Sequence, residues 1–140
     1  MKYKIGQKAE FTRTVTETDI VLFAGLSGDY NPIHVDKEYA KQTFFRERIS
    51  HGILTASFLS RLLGMHLPGP GSVYVSQTLN FTKPVYIGDT ITTRGEVIKL
   101  DEDRRLITVQ TTCMNQNGEI VLDGEGVMKL SKEMIKRDRD

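Results

Sequence analysis

His51-Gly52-Ile53-Leu54-Thr55-Ala56-Ser57-Phe58-Leu59-Ser60-Arg61-Leu62-Leu63-Gly64-Met65 is the most apolar helical pattern in the chain. Ile53, Leu54, Ala56, Phe58, Leu59, Leu62, Leu63 and Met65 surround most of its circumference. A helix apolar nearly all round is a buried helix. Pro68-Gly69-Pro70-Gly71 stops it. The apolar run is interrupted by Ser57, Ser60, Arg61 and His66 and is shorter than the roughly 20 residues that span a bilayer. It therefore belongs inside a soluble domain.

Strands follow it. Val73, Val75, Leu79 and Phe81 alternate with Tyr74, Ser76, Thr78, Asn80 and Thr82, the period of a half-buried strand. Further strands are predicted over about 90–99, 105–114 and 119–130, joined through Asp101-Glu102-Asp103 and Asn117-Gly118, both good turn chemistry. Upstream, Thr16 can cap a helix with acidic residues in its first turn. Ile20, Phe23, Ala24 and Ser27 share its face, and Gly28 ends it. Asn31 precedes a proline, which biases it away from helix, and Asp36 caps a short second helix to about Gln42. Helices first and strands after favour an α+β domain over βαβ units. The expected architecture is a curved antiparallel sheet wrapped around one buried helix. One domain covers 1–130, and the charged tail 131–140 frays. One side of so small a sheet needs cover, which points to a second copy.

Composition bounds the function. The chain has 140 residues, 39% hydrophobic and 26% charged, with a net charge of +1. That charge offers no field for a polyanion, so nucleic acid is excluded as a partner. The lone Cys113 forms no internal disulfide, and no Cys/His spacing suits a structural metal. With no membrane span and no apolar leader at the N-terminus, the expected location is cytoplasmic.

Chemistry concentrates in Ser27-Gly28-Asp29-Tyr30-Asn31-Pro32-Ile33-His34. The Asn-Pro turn can aim Asp29 and His34 at one point. A carboxylate and an imidazole suit proton handling near neutral pH. No nucleophile motif accompanies them, so acid/base work on a water is more natural than covalent catalysis. From spacing alone, the simpler reading is that Asp29 and Asn31 are ordinary turn residues and His34 a surface or core histidine. Gly52 opens the buried helix, where unpaired N–H groups can bind developing negative charge; a plain helix-start glycine is the alternative. Ser60 either touches a substrate or bonds back to the Ala56 carbonyl. Leu63 and Met128 either line an acyl pocket or belong to the core.

Phe23 through Ala40 resembles the hydratase motif of the (R)-specific enoyl-CoA hydratases, the MaoC-like dehydratases. The similarity continues through Ile49-Ser50-His51-Gly52-Ile53-Leu54, Leu67-Pro68-Gly69 and Pro84-Val85-Tyr86-Ile87-Gly88-Asp89. The resemblance implies a hot-dog fold and a homodimer with acyl tunnels near the subunit interface. It implies Asp29 and His34 as the catalytic pair, Gly52 N–H as the thioester-oxygen ligand and Ser60 near the site, with Asn31 shaping the turn. The implied reaction is syn addition of water to a 2-enoyl thioester, giving an (R)-3-hydroxyacyl thioester. The substrate is carried on coenzyme A or acyl carrier protein, and no metal or other cofactor is required. An acyl thioesterase on the same fold and a non-catalytic acyl-thioester-binding module are the competing readings.

Overall fold

The computed structural model describes residues 2–136. Six strands form one antiparallel sheet: β1 (Lys8–Thr14), β2 (Val73–Gln77), β3 (Asn80–Phe81), β4 (Thr90–Asp101), β5 (Leu106–Met114) and β6 (Ile120–Lys129). Their order is β1-β4-β5-β6-β2, with β3 also on β6, and the sheet does not close into a barrel. Five α-helices accompany it: α1 (Glu17–Ser27), α2 (Pro32–Val35), α3 (Lys37–Lys41), α4 (Gly52–Arg61) and α5 (Lys132–Ile135). No helix among the described residues is long and apolar enough to cross a membrane.

The long strands alternate as their sequences require. In β5, Ile107, Val109, Thr111 and Cys113 are buried and point to one face. Ile91, Thr93 and Val97 of β4 do the same. Against this face lie Leu54, Phe58, Leu59, Leu62 and Leu63 of the central helix and its continuation. Phe58 and Leu59 pack with Ile91, Cys113 and Leu122, while Leu63 packs with Val97, Val109 and Met128. Burying each such side chain contributes about 1.5–3 kcal/mol. Burial also pushes the Cys113 thiol up to about 11, so it acts as a small core hydrophobe.

Several elements differ from the sequence reading. The central helix is buried on one side only: Ile53, Ser57, Ser60, Arg61 and Met65 are exposed. Its last turn, Leu62–His66, is π-helical. The expected single strand over 73–82 is broken into β2 and β3, with an irregularity between Tyr74 and Ser76. Val73 and Val75 are exposed, because β2 lies at the sheet edge. Strand β1 escaped the pattern reading, since Lys8-Ala9-Glu10-Phe11-Thr12-Arg13-Thr14 has only Ala9 and Phe11 to mark an inner face. Pro32–Val35 forms a helical turn instead of open loop, as proline is tolerated at a first helical position. Ser131 caps α5, whose Met134 and Ile135 pack on the core, so the tail is ordered this far; residues 137–140 lie outside the described residues.

A close approach links β6 to the segment between β2 and β3. A Cβ on Gly124 would fall 1.8 Å from the Thr78 carbonyl oxygen. Gly124→Ala should therefore lower stability by about 1–3 kcal/mol or more through overpacking. Leu59→Ala should cost about 2–5 kcal/mol through a core cavity. Urea unfolding at fixed protein concentration measures both, and a neutral result at either site contradicts the packing described.

Candidate active site

The loop between α1 and α2 is built by its own side chains. Thr16 caps α1 in a reciprocal capping box with Asp19. Gly28 takes a left-handed φ of 79° at the helix end, and its N–H donates to the Ala24 carbonyl. Ser27 Oγ then accepts from Asp29 N–H, and Asp29 Oδ1 accepts from Asn31 N–H at 3.1 Å. Asn31 Oδ1 in turn caps α2 by accepting from Ile33 N–H. The role expected for Asn31, shaping the turn, has this physical basis. The chain leaves Asp29 exposed at the loop's tip and carries His34 inward on α2.

His34 is buried, and its Nδ1 lies 2.7 Å from the Ile49 carbonyl oxygen. A carbonyl only accepts, so Nδ1–H is the donor and the neutral ring keeps its lone pair on Nε2. Arg48 holds the turn from below: Nε donates to the His34 carbonyl at 2.7 Å, and the guanidinium pairs with Glu17 at 2.6 Å. His51 stacks on His34, with ring centroids 3.9 Å apart at 29°. Its Nε2 lies 2.9 Å from the Asp29 carbonyl oxygen. Asp29, His34 and His51 thus bring one donor atom each to within 4.8 Å of one another.

The hydrogen bonds already made by the two rings limit what this cluster offers an ion. Imidazole lone pairs lie in the ring planes, so two stacked rings cannot converge theirs on one ion. His34 Nδ1 and His51 Nε2 are already committed to carbonyls.

Beside His34 opens a cavity of about 470 Å³. Gly52, the first residue of α4, stands in its wall with Thr55, Phe81, Val85 and Leu122. The first N–H of a helix has no intrahelical acceptor, and none forms between Gly52 N–H and another backbone group among the described residues. A Cβ at Gly52 would press to 2.7 Å from the Phe81 ring. Glycine fits here where a side chain would meet that ring, and a helix N-terminus favours negative charge.

Residues 2–118 match the MaoC like domain. The chain belongs to the MaoC-like dehydratase family. It is 48% identical to an (R)-specific enoyl-CoA hydratase of Rhodospirillum rubrum, over 89% of this chain and 86% of that one. A 3-hydroxybutyryl-CoA dehydratase of Methylorubrum extorquens is 43% identical, over 93% and 82%. A solved (R)-hydratase from A. caviae, described as involved in PHA biosynthesis, superposes with a TM-score of 0.90 at 42% identity. That alignment covers 93% of this chain and 98% of the other. The hot-dog fold expected from the resemblance is therefore the fold of this MaoC-like chain.

Within this domain, His34 and Gly52 share the cavity wall, and Asp29 lies against His34 without itself lining the cavity. Ser60, Leu63 and Met128 do not join the cavity. Ser60 lies on the exposed side of α4, while Leu63 and Met128 are buried against each other's neighbours in the core. Thr55, Phe81 and Val85 line the cavity and Arg48 bonds the His34 carbonyl, positions that no sequence pattern marks. They resemble ordinary helix, strand and surface residues, and no local signal separates them.

Burial pulls the His34 imidazole below its usual 6.5; the Ile49 carbonyl opposes this, His51 adds to it and Asp29 opposes it. The unfolded chain therefore takes up the proton first as pH falls. The wild type should lose stability relative to His34→Gln as pH falls from about 6.5 toward the folded value, and no further below it. Unfolding free energies of the two across that range test this; a pH-independent difference would refute it.

Proposed function

We propose that this chain is an (R)-specific enoyl-CoA hydratase, a hydro-lyase that reversibly adds water to trans-2-enoyl-CoA. The observation that carries the reading is that His34, with Nε2 left free by its Nδ1–H bond, shares a cavity wall with Gly52, while an Asp29 carboxylate oxygen lies within 4.8 Å of a His34 ring nitrogen. The relatives' names support it. A cavity of about 470 Å³ suits the acyl-thioester end of the substrate, leaving the rest of coenzyme A outside.

The thioester oxygen accepts from Gly52 N–H, which draws electron density from C3. Asp29 and His34 Nε2 hold a water between them. His34 takes one proton as the water oxygen bonds to C3, and the π electrons move to an enolate held on Gly52. Asp29 stabilises the imidazolium. The proton returns to C2 from the same side, which gives syn addition and restores neutral His34. The thioester acidifies C2, so proton transfer needs no further cofactor. A cytoplasmic setting is consistent with the buried free thiol of Cys113.

The exposed Val73 and Val75 of the β2 edge, with Ile53 beside them, are the proposed cover for a second copy. Sedimentation should give twice the 15.8 kDa chain mass, and Val75→Lys should shift it toward one chain. A wild-type monomer would refute the homodimer.

Crotonyl-CoA should lose its enoyl-thioester absorbance with wild type and yield the (R)-3-hydroxy product. Asp29→Asn and His34→Ala should each lower the rate by about 10² to 10⁴ while remaining folded. Inactivity on crotonyl-CoA and on longer or carrier-protein-bound enoyl groups would defeat the hydratase reading; release of free thiol from saturated acyl-CoA would favour a thioesterase.

A further inference from the structure

His51 precedes the glycine at the start of α4 and is almost wholly buried, at 2% exposure. Its side chain makes no capping hydrogen bond to that helix. It turns the other way, toward the Asp29 loop. One ring face lies on His34 at 3.9 Å, and Phe23 of α1 packs against it at 4.8 Å and 59°. The Asp29 carbonyl at 2.9 Å can only accept, so His51 Nε2 must carry a hydrogen. Nδ1 is buried without a hydrogen-bond partner among the described residues. A buried polar atom left unpaired costs stability, and an aliphatic side chain would avoid that cost. The ring is therefore worth keeping for what Nε2–H and the ring face do.

Those two contacts go to the two residues of the proposed acid/base pair. Nε2–H fixes the backbone of Asp29, and so the base of its carboxylate. The ring face fixes the plane of His34, whose own hydrogen bond constrains only one edge. Without His51, the Asp29 loop would be joined to His34 only through Asn31 and its cap.

We infer that His51 is a positioning residue of the hydratase site, setting the distance between Asp29 and His34 through an Nε2–H bond to the Asp29 carbonyl and a ring stack on His34. This rests on the hydratase reading, in which both groups must share one water. Displacements of about 1 Å at such a site can cost as much as 10² in rate.

The test compares wild type with His51→Gln, His51→Asn and His51→Leu. Glutamine places an amide nitrogen where Nε2 stood and is flat enough to lie on His34. Asparagine reaches only the Nδ1 position, and leucine keeps bulk without a donor. With crotonyl-CoA, His51→Asn and His51→Leu should lose about 10- to 100-fold in kcat with KM changed less than about twofold, while His51→Gln retains most of kcat. Thermal unfolding of each variant separates this from simple loss of fold. Equal kcat in all four proteins would overturn the inference, as would a glutamine variant that folds yet is as slow as leucine. An effect confined to KM would overturn it too. Nitrogen chemical shifts of the wild-type imidazoles provide a readout independent of turnover: His51 should be the Nε2–H tautomer, and an Nδ1–H tautomer would overturn the proposal. If wild type fails to turn over any enoyl thioester, the hydratase reading falls, and this tautomer still decides whether His51 holds the Asp29 loop.

Discussion

The apolar side of α4 has only the inner face of the sheet to bury against, and the site depends on that constraint. Leu54, Phe58, Leu59, Leu62 and Leu63 form one side of the helix, and β4, β5 and β6 supply the matching surface. At about 1.5–3 kcal/mol for each buried side chain, this contact outweighs any single hydrogen bond in the molecule. Seating the helix also seats its N-terminus. Gly52 is then held in the cavity wall and His51 beneath the Asp29 loop, which has little packing of its own.

That loop is specified differently. Its turns come from short-range hydrogen bonds of Ser27, Asp29 and Asn31, which reach only a few residues along the chain. Such bonds shape a loop but cannot aim it. Aiming comes from longer connections: His34 to the Ile49 carbonyl, Arg48 to the His34 carbonyl and to Glu17, and His51 to the Asp29 carbonyl. The two histidine bonds end on backbone carbonyls, so they also settle which ring nitrogen carries a proton. Burial then favours the uncharged form of His34, which is the form able to accept a proton from water.

The exposed side of α4 and the β2 edge follow from the same geometry. A single curved sheet covers one side of its helix, leaving Ile53, Val73 and Val75 in solvent. In the all-round apolar pattern of the helix and the strand-like alternation of 73–82, every apolar residue reads as inward whichever side it takes. This is why the pattern predicts burial where the folded chain has none.

Much was legible locally. The strand period of β4, β5 and β6, the Thr16 cap, the Gly28 stop and the Asp36 cap depend on neighbours in sequence, and each appears where its residues require. The Asp29–His34 motif was legible as a constellation, because its turn is made by its own side chains. The roles of Leu63 and Met128 were not, since an apolar residue looks the same whether it faces a cavity or the core. Strand β1 was hidden because an edge strand with two inward apolar residues leaves almost no pattern. His51, Arg48 and Thr55 gain their meaning from contacts between segments distant in sequence. Sequence alone thus determined the local elements and the turn that carries Asp29 and His34. Only the tertiary structure decided which nitrogen of His34 is free, what holds Asp29 in place and which side chains wall the cavity, because those depend on distances between segments that the sheet and α4 bring together.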